Sequence, residues 1–237
     1  GYAQGVDCSQ GEGRVGYFAG CMTLLTPKIL HAMERIFEAA GEPVSIPSTY
    51  NDRTRMVYQA ARCGLRDFFV KNGYKKACIG LSGGIDSSVT AVMAVDAFGA
   101  KNVHGVLLPG PYSTGHSIDD ALALAENLGI ESHTVSICEP FEAFEQVIRK
   151  SYKEKLEGLA SENTQARCRM VILMALSNAN RWMLVNTGNK SEAAMGYSTL
   201  YGDTAGAFAP LGGLYKTDVY KVGRWRNEQA RTAGDVE

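Results

Sequence analysis

Two rhythms of apolar residues run along this chain, and the pattern changes near residue 50. Before that point a helical period, Ile29, Met33, Ile36, Phe37 and Ala40, is closed by Gly41. Short β-like runs flank it, Val15–Phe18 and Val44–Ile46, while residues 1–14 are polar and rich in glycine. Pro43, Pro47 and Ser48 then break the pattern and mark a boundary. Beyond it, helical periods alternate with short apolar runs, the signature of βα units around a largely parallel sheet.

The expected elements follow in order. A helix over 52–71 precedes a strand over Lys76–Leu81, and a second helix runs from Asp86 to Phe98. A strand over Val103–Leu108 leads through Pro109 and Pro111 to a helix. That helix opens at Ser117, whose spacing to Asp120 matches a capping box, and it stops at Gly129. The spacing predicts a third strand over His133–Ile137, helices over 140–157 and 163–179, and a strand over Trp182–Asn186. A glycine-rich loop over 196–213 and a helix from Thr217 complete the chain. The expected fold is therefore α/β: a doubly wound, mostly parallel, Rossmann-like sheet over residues 50–237, with residues 1–49 as a short N-terminal appendage.

Composition narrows the class. A net charge of −1 offers no basic surface for nucleic acid, so any cation that meets phosphate must be placed locally. Cysteines at 8, 21, 63, 78, 138 and 168 form no Cys-x-x-Cys pair and no zinc-ligand spacing, which points to scattered reduced thiols. No apolar stretch reaches membrane-spanning length and no basic-then-apolar leader opens the sequence. The expected location is the cytoplasm, with neither membrane nor nucleic acid as a partner.

The most informative segment is Gly80-Leu-Ser-Gly-Gly-Ile-Asp-Ser-Ser88, placed between a strand and a helix. Gly83 and Gly84 allow a tight turn, and the N–H groups and dipole at the helix start favour phosphate oxygens. Ser82, Ser87 and Ser88 can add hydroxyl donors, and Asp86 suits a Mg²⁺ that bridges phosphates. The Lys of the Gly-x-x-x-x-Gly-Lys-[Ser/Thr] loop is absent, which argues against a kinase-type P-loop. The segment resembles instead the pyrophosphate-gripping loop of the N-type ATP pyrophosphatases.

Three further segments carry chemistry. Asn186-Thr-Gly-Asn-Lys-Ser-Glu192 follows the fourth strand and should project at the same carboxyl edge as the glycine loop, where doubly wound sheets bind ligands. Taken alone, it reads better as a helix cap with a solvated Glu. With Glu162-Asn-Thr-Gln-Ala-Arg-Cys-Arg169, Gly196-Tyr-Ser-Thr-Leu-Tyr-Gly-Asp203 and Lys216-Thr217, it resembles the synthetase domain of glutamine-dependent NAD⁺ synthetases, over residues 50 to 232.

That resemblance implies a ligase forming a carbon–nitrogen bond: ATP-dependent amidation of deamido-NAD⁺ to NAD⁺ through an adenylated intermediate, releasing AMP and pyrophosphate, with ammonia as nitrogen donor. It implies that Gly80, Ser82, Gly83, Gly84 and Ser87 grip phosphate, that Thr187 reaches an ATP hydroxyl or phosphate, and that Lys216 contacts ATP. Asp86 and Glu192 would share Mg²⁺ and, with Lys216, carry the catalysis. Asn163, Arg167 and Glu192 would face deamido-NAD⁺; Asn163 and Arg167 lie four residues apart and so share a helix face. Arg169 is expected to point elsewhere. His31, His104, His116 and His133 are expected to be bystanders, since ammonia itself is the nucleophile. Many members of this family are dimers, so a homodimer or higher homo-oligomer is expected.

The match also has departures. The glutaminase domain that normally precedes the synthetase does not occur in this sequence, so ammonia would come free or from a separate amidase. Leu200 and Ala207 stand where the ammonia-dependent branch has Lys and Asp, which sides with the glutamine-dependent branch. Family members continue past the position of Glu237 with a lid segment. Residues 15–47, with Gly20-Cys21, resemble the start of a cysteine-rich domain that elsewhere carries an iron–sulfur cluster, but no Cys-Cys-Gly is present. Two other readings stay open: an ATP-binding module that does not turn over, and an ATP pyrophosphatase acting on a different acceptor.

Overall fold

A computed structural model describes residues 53–153 and 155–233. The expected appendage, with its strands at Val15–Phe18 and Val44–Ile46 and its helix ending at Gly41, lies outside the described residues, as do Cys8, Cys21 and His31.

The described chain runs α1 (Arg53–Lys71), β1 (Ala77–Leu81), α2 (Ile85–Phe98), a 3₁₀ turn (Ala100–Asn102), β2 (Val103–Leu107), α3 (Gly115–Asn127) and β3 (Glu131–Thr134). It continues through α4 (Cys138–Tyr152), α5 (Gly158–Asn180), β4 (Met183–Val185), α6 (Lys190–Met195) and α7 (Lys216–Ala233). The four strands form one parallel sheet in the order β3-β2-β1-β4. The chain starts at β1, steps outward to β2 and β3, then returns to the other side of β1. This reversal opens a crevice beyond the carboxyl ends of β1 and β4, where doubly wound sheets place their ligands.

Strand pleating divides the core. Ala77, Ile79, Leu81, Val103, Leu107, Met183 and Val185 face one layer, which α1, α2, α3 and α7 cover. Cys78, Val106 and Leu184 face the other, where they meet Ile137, Phe141 and Cys168 at α4 and α5. Both sides of the sheet are thus buried, and that is why the inner strands read as continuous apolar runs rather than alternating ones. Helix α1 buries Val57, Tyr58, Ala61, Leu65 and Phe69, a stripe at helical spacing. A polar anchor joins three helices on this side. The Tyr58 hydroxyl donates to the Asp96 carboxylate, and Arg226 grips the same carboxylate through Nε (2.9 Å) and Nη2 (3.1 Å).

The structure moves several expected boundaries. Helix α3 opens at Gly115 rather than Ser117, because Thr114 is its cap and accepts from the Ser117 N–H at 3.4 Å. Strand β3 occupies Glu131–Thr134, earlier than the apolar run His133–Ile137 suggested. It is an edge strand whose residues are half-buried or exposed, so pairing with β2 in the register His104↔Glu131 defines it, not hydrophobicity. Ile137 instead precedes α4 and accepts the Phe141 N–H at 3.0 Å. Helix α5 is longer than expected, and α6 adds a short helix at the segment whose Asn could be read as a cap but for which no helix was placed. Cys63, Cys78, Cys138 and Cys168 are free thiols, and burial pushes the Cys78 thiol up to about 12. Among the described residues, no helix is long and apolar enough to cross a membrane.

Candidate active site

The loop Ser82–Gly84 leaves β1 and enters α2 at the crevice. Gly83 has φ +77°, and a Cβ there would lie 2.4 Å from the Ser117 carbonyl oxygen. Only glycine both adopts this left-handed backbone and allows so close an approach to α3. The serine hydroxyls then brace the turn. Ser87, 2% exposed, donates to the Gly84 carbonyl at 2.9 Å and accepts the Ser82 N–H at 3.3 Å. Ser88 donates to the same carbonyl at 2.9 Å, and Ser82 Oγ accepts the Gly84 N–H at 3.3 Å. No side chain caps α2, so the N–H groups of its first turn keep no side-chain partner, as an anion site at a helix start requires.

The second half of the site comes from the end of β4. Asn186 is buried and donates to the carbonyls of Asp203 and Ala205, each at 2.8 Å, while its Oδ1 accepts the Gly188 N–H at 2.8 Å. This clamp folds the glycine-rich loop back over the crevice. Asn189 and Glu192 then form a capping box on α6. Asn189 Oδ1 accepts the Glu192 N–H at 3.1 Å, and Glu192 Oε2 accepts the Asn189 N–H at 2.9 Å. Asn189 Nδ2 also donates to Asp86 Oδ1 at 3.0 Å. Lys216 completes the group: its ammonium pairs with Asp86 Oδ2, and its N–H donates to Ser191 Oγ at 2.9 Å. Asp86, Glu192 and Lys216, from three distant segments, are thus joined in one polar network with Asn189 at its centre.

A cleft of 430 Å³ opens beside this network. Gly80, Ser82 and Thr187 line it, together with Leu107, Pro109, Thr114, Ser117, Arg169, Met170 and Asp203. Arg169 was expected to point elsewhere. It instead lines the cleft and donates from Nε to the Leu108 carbonyl at 3.0 Å, and burial lowers its basicity. Asn163 and Arg167 do share a helix face, but they address the neighbouring loop and are not among the cleft-lining residues. Asn163 Oδ1 accepts the Thr199 hydroxyl at 2.7 Å, and the exposed Arg167 donates to the Leu200 carbonyl at 3.2 Å. The Thr199 N–H in turn donates to Asp203 Oδ1 at 2.7 Å. His104 sits at the start of β2 and His133 on the edge strand β3, packed with Trp182 on the face opposite α2, and neither histidine lines the cleft.

Sequence reasoning missed three contributors: Asn186, Asn189 and Arg169. For Asn189 a signal existed, since Asn-x-x-Glu is a capping-box pattern. Its second bond, to Asp86, depends on the adjacency of β1 and β4 and has no local signature. Helical spacing sets Arg169 apart from Arg167, but spacing alone does not tell which side of α5 meets the cleft.

Comparison with known proteins gives a consistent picture. Residues 57–231 match the NAD synthase family. A glutamine-dependent NAD(+) synthetase of Thermotoga maritima is 48% identical over 186 residues, which cover 78% of this chain and 32% of that protein. The structure of a glutamine-dependent NAD⁺ synthetase from Acinetobacter baumannii, in complex with ADP, superposes with a TM-score of 0.74 at 36% identity, over 79% of this chain and 35% of that one. An NMN synthetase from Francisella tularensis superposes with a TM-score of 0.67 at 34% identity, over 73% of this chain and 70% of that one. The chain therefore spans only a third or so of the length of the glutamine-dependent relatives it matches. Because the match runs from Val57 in α1 to Arg231 in α7, and so takes in every strand of the sheet and each segment of the polar network, this chain belongs to the NAD synthase family.

Proposed function

We propose that this chain catalyses ATP-dependent amidation of deamido-NAD⁺ to NAD⁺, with ammonia as the nitrogen donor. The observation that carries the reading is the Asp86–Asn189–Glu192 network with Lys216, set beside a cleft at the β1/β4 reversal. In the first step a nicotinate carboxylate oxygen attacks the α-phosphorus of ATP, and the bond to the β-phosphate oxygen breaks to release pyrophosphate. In the second, ammonia attacks the activated acyl carbon, the carbon–oxygen bond breaks, and AMP leaves while the nitrogen loses a proton to solvent.

The residues suit this chemistry, which depends on positioning and charge neutralisation more than on covalent help. The glycine loop and the first turn of α2 would hold the departing pyrophosphate. The Lys216 ammonium would move from Asp86 to the phosphates and supply the cation that the loop lacks. Apolar walls from Leu107, Pro109 and Met170 would keep water from the adenylate. Asp86 and Glu192 offer hard carboxylate oxygens from two segments, one held by the side chain and the other by the backbone N–H of Asn189, a donor set that fits Mg²⁺. When bound, Mg²⁺ would neutralise phosphate charge. Asn163 and Arg167 would reach the dinucleotide through the loop they brace at Thr199 and Leu200.

A second acceptor is favoured by one observation. The Francisella relative is named for NMN synthesis, so the same adenylation could serve a nicotinate mononucleotide. The test is pyrophosphate release from Mg-ATP and ammonium with deamido-NAD⁺, nicotinate mononucleotide, xanthosine monophosphate or no acceptor. Release with deamido-NAD⁺ alone, accompanied by NAD⁺, is expected, and Asp86→Ala should abolish it. Release with the mononucleotide alone would move the reading to the second acceptor. ATP binding with silence in every mixture would leave a module that holds nucleotide without turnover. Cytoplasmic location and a homodimer or higher assembly accompany this reading; fractionation and light scattering test them.

A further inference from the structure

We infer that Asn189 is a positioning residue that sets the spacing of the Asp86 and Glu192 carboxylates and thereby governs how strongly the site takes up a divalent cation. The inference rests on the functional reading above and goes beyond it to a residue that the reading leaves without a role.

The geometry separates two tasks in one residue. Through Oδ1, and through its own N–H, Asn189 closes the capping box with Glu192. Through Nδ2 it reaches across to Asp86, 103 positions earlier in the chain. The first task needs only a hydrogen-bond acceptor at the N-cap, which Ser and Thr supply as well as Asn. The second needs a donor of amide length. Asn189 is 2% exposed, so water does not substitute for either bond. Asp86 belongs to α2, beyond β1, and Glu192 to α6, beyond β4. Asn189 therefore ties the two carboxylates of separate βα units to one residue: its side-chain Nδ2 holds Asp86, and its backbone N–H holds Glu192. Groups that orient metal-binding carboxylates in this way commonly change metal affinity when removed. Lys216 makes the other link between these segments, but it does so as an ammonium competing for Asp86, not as a neutral spacer.

The probe is Mn²⁺, titrated by electron paramagnetic resonance into the protein with a non-hydrolysable ATP analogue. Asn189→Ser and Asn189→Thr keep the cap and remove the bridge; Asn189→Ala removes both. Thermal unfolding should rank Ser and Thr close to the native protein and Ala below them. Mn²⁺ uptake should instead weaken roughly ten-fold or more in all three, following the bridge and not the cap. Native-like Mn²⁺ affinity in either cap-keeping variant overturns the inference. If only one of them folds, that one decides. Should the unaltered protein bind the ATP analogue but take up no Mn²⁺, the metal assignment fails and this inference with it. A protein that takes up Mn²⁺ equally with and without the Asn189 amide leaves the functional reading standing and removes only the role of Asn189.

Discussion

Lys216, the first residue of α7, is ion-paired with Asp86, the second residue of α2, across 130 positions of sequence. The pair ties the start of α7 to the start of α2, just past the glycine loop. It also places the single basic group of the polar network where the loop after β1 has none.

Lys216→Met should therefore lower pyrophosphate release about 100-fold, the usual scale for losing one charge-stabilising donor. Stability should change by no more than about 1 kcal/mol, because the lysine side chain is partly exposed and screened. Steady-state assays and thermal unfolding of the same preparation separate the two effects. Activity near the native level would remove Lys216 from the chemistry.

Gly83→Ala is expected to disturb both fold and site. The new Cβ would press on the Ser117 carbonyl, and the residue would sit at φ +77°. Left-handed backbone alone costs about 1–2 kcal/mol, and the backbone contact adds to it. Calorimetry should show a lowered unfolding temperature, and nucleotide titration should show weakened ATP binding. A variant with native unfolding and native ATP affinity would contradict the tight turn.

The anchor at Asp96 predicts an asymmetric pair of variants. Asp96→Ala leaves the Arg226 guanidinium and the Tyr58 hydroxyl without their shared partner and should cost about 3 kcal/mol. Tyr58→Phe removes one donor but leaves Asp96 held twice by Arg226, so it should cost about 1 kcal/mol. Burial and the neighbouring Asp96 charge also raise the Tyr58 phenol above its ordinary range, so it stays protonated in mildly basic solution. Denaturant unfolding of both variants checks the order. Equal losses would mean that α1, α2 and α7 are not joined through this carboxylate.

Stability should fall in mild acid through His104. Desolvation by burial, then the Lys76 charge, lowers its basicity; Glu131 opposes this and His133 adds to it. The folded protein therefore favours the neutral ring, and below the ordinary value of 6.5 the unfolded chain binds more protons. The contribution is complete above pH 6.5 and is lost as pH falls toward the lowered value. Unfolding midpoints between pH 7.5 and 5.5 should decline in the native protein. His104→Phe, which keeps a ring against Trp182 at the 3.9 Å stack, should flatten that decline. An unchanged slope would assign the acid sensitivity to other groups.

The α/β class, the number of strands from β1 to β4 and the glycine loop were all legible along the chain, because each depends on near neighbours. Buried parallel strands show as apolar runs, helices as stripes such as Val57, Tyr58, Ala61 and Leu65, and the turn at Gly83 as paired glycines beside hydroxyls. Boundaries were less legible where pairing decides them: β3 follows β2 in register despite its exposed residues, and Thr114 displaces Ser117 as the cap of α3. The relationships that build the site were legible only in part: the shared carboxyl edge and the grouping of Asp86, Glu192 and Lys216 were expected, whereas the contacts that join them were not. Asp86 meets Asn189 and Lys216 only because β4 returns to lie beside β1, and Arg169 faces the cleft only because of how α5 turns against the sheet. Periodicity and capping are written in residues three or four apart, whereas the contacts that join the carboxylates, the amide and the ammonium are set by strand order, which folding alone establishes.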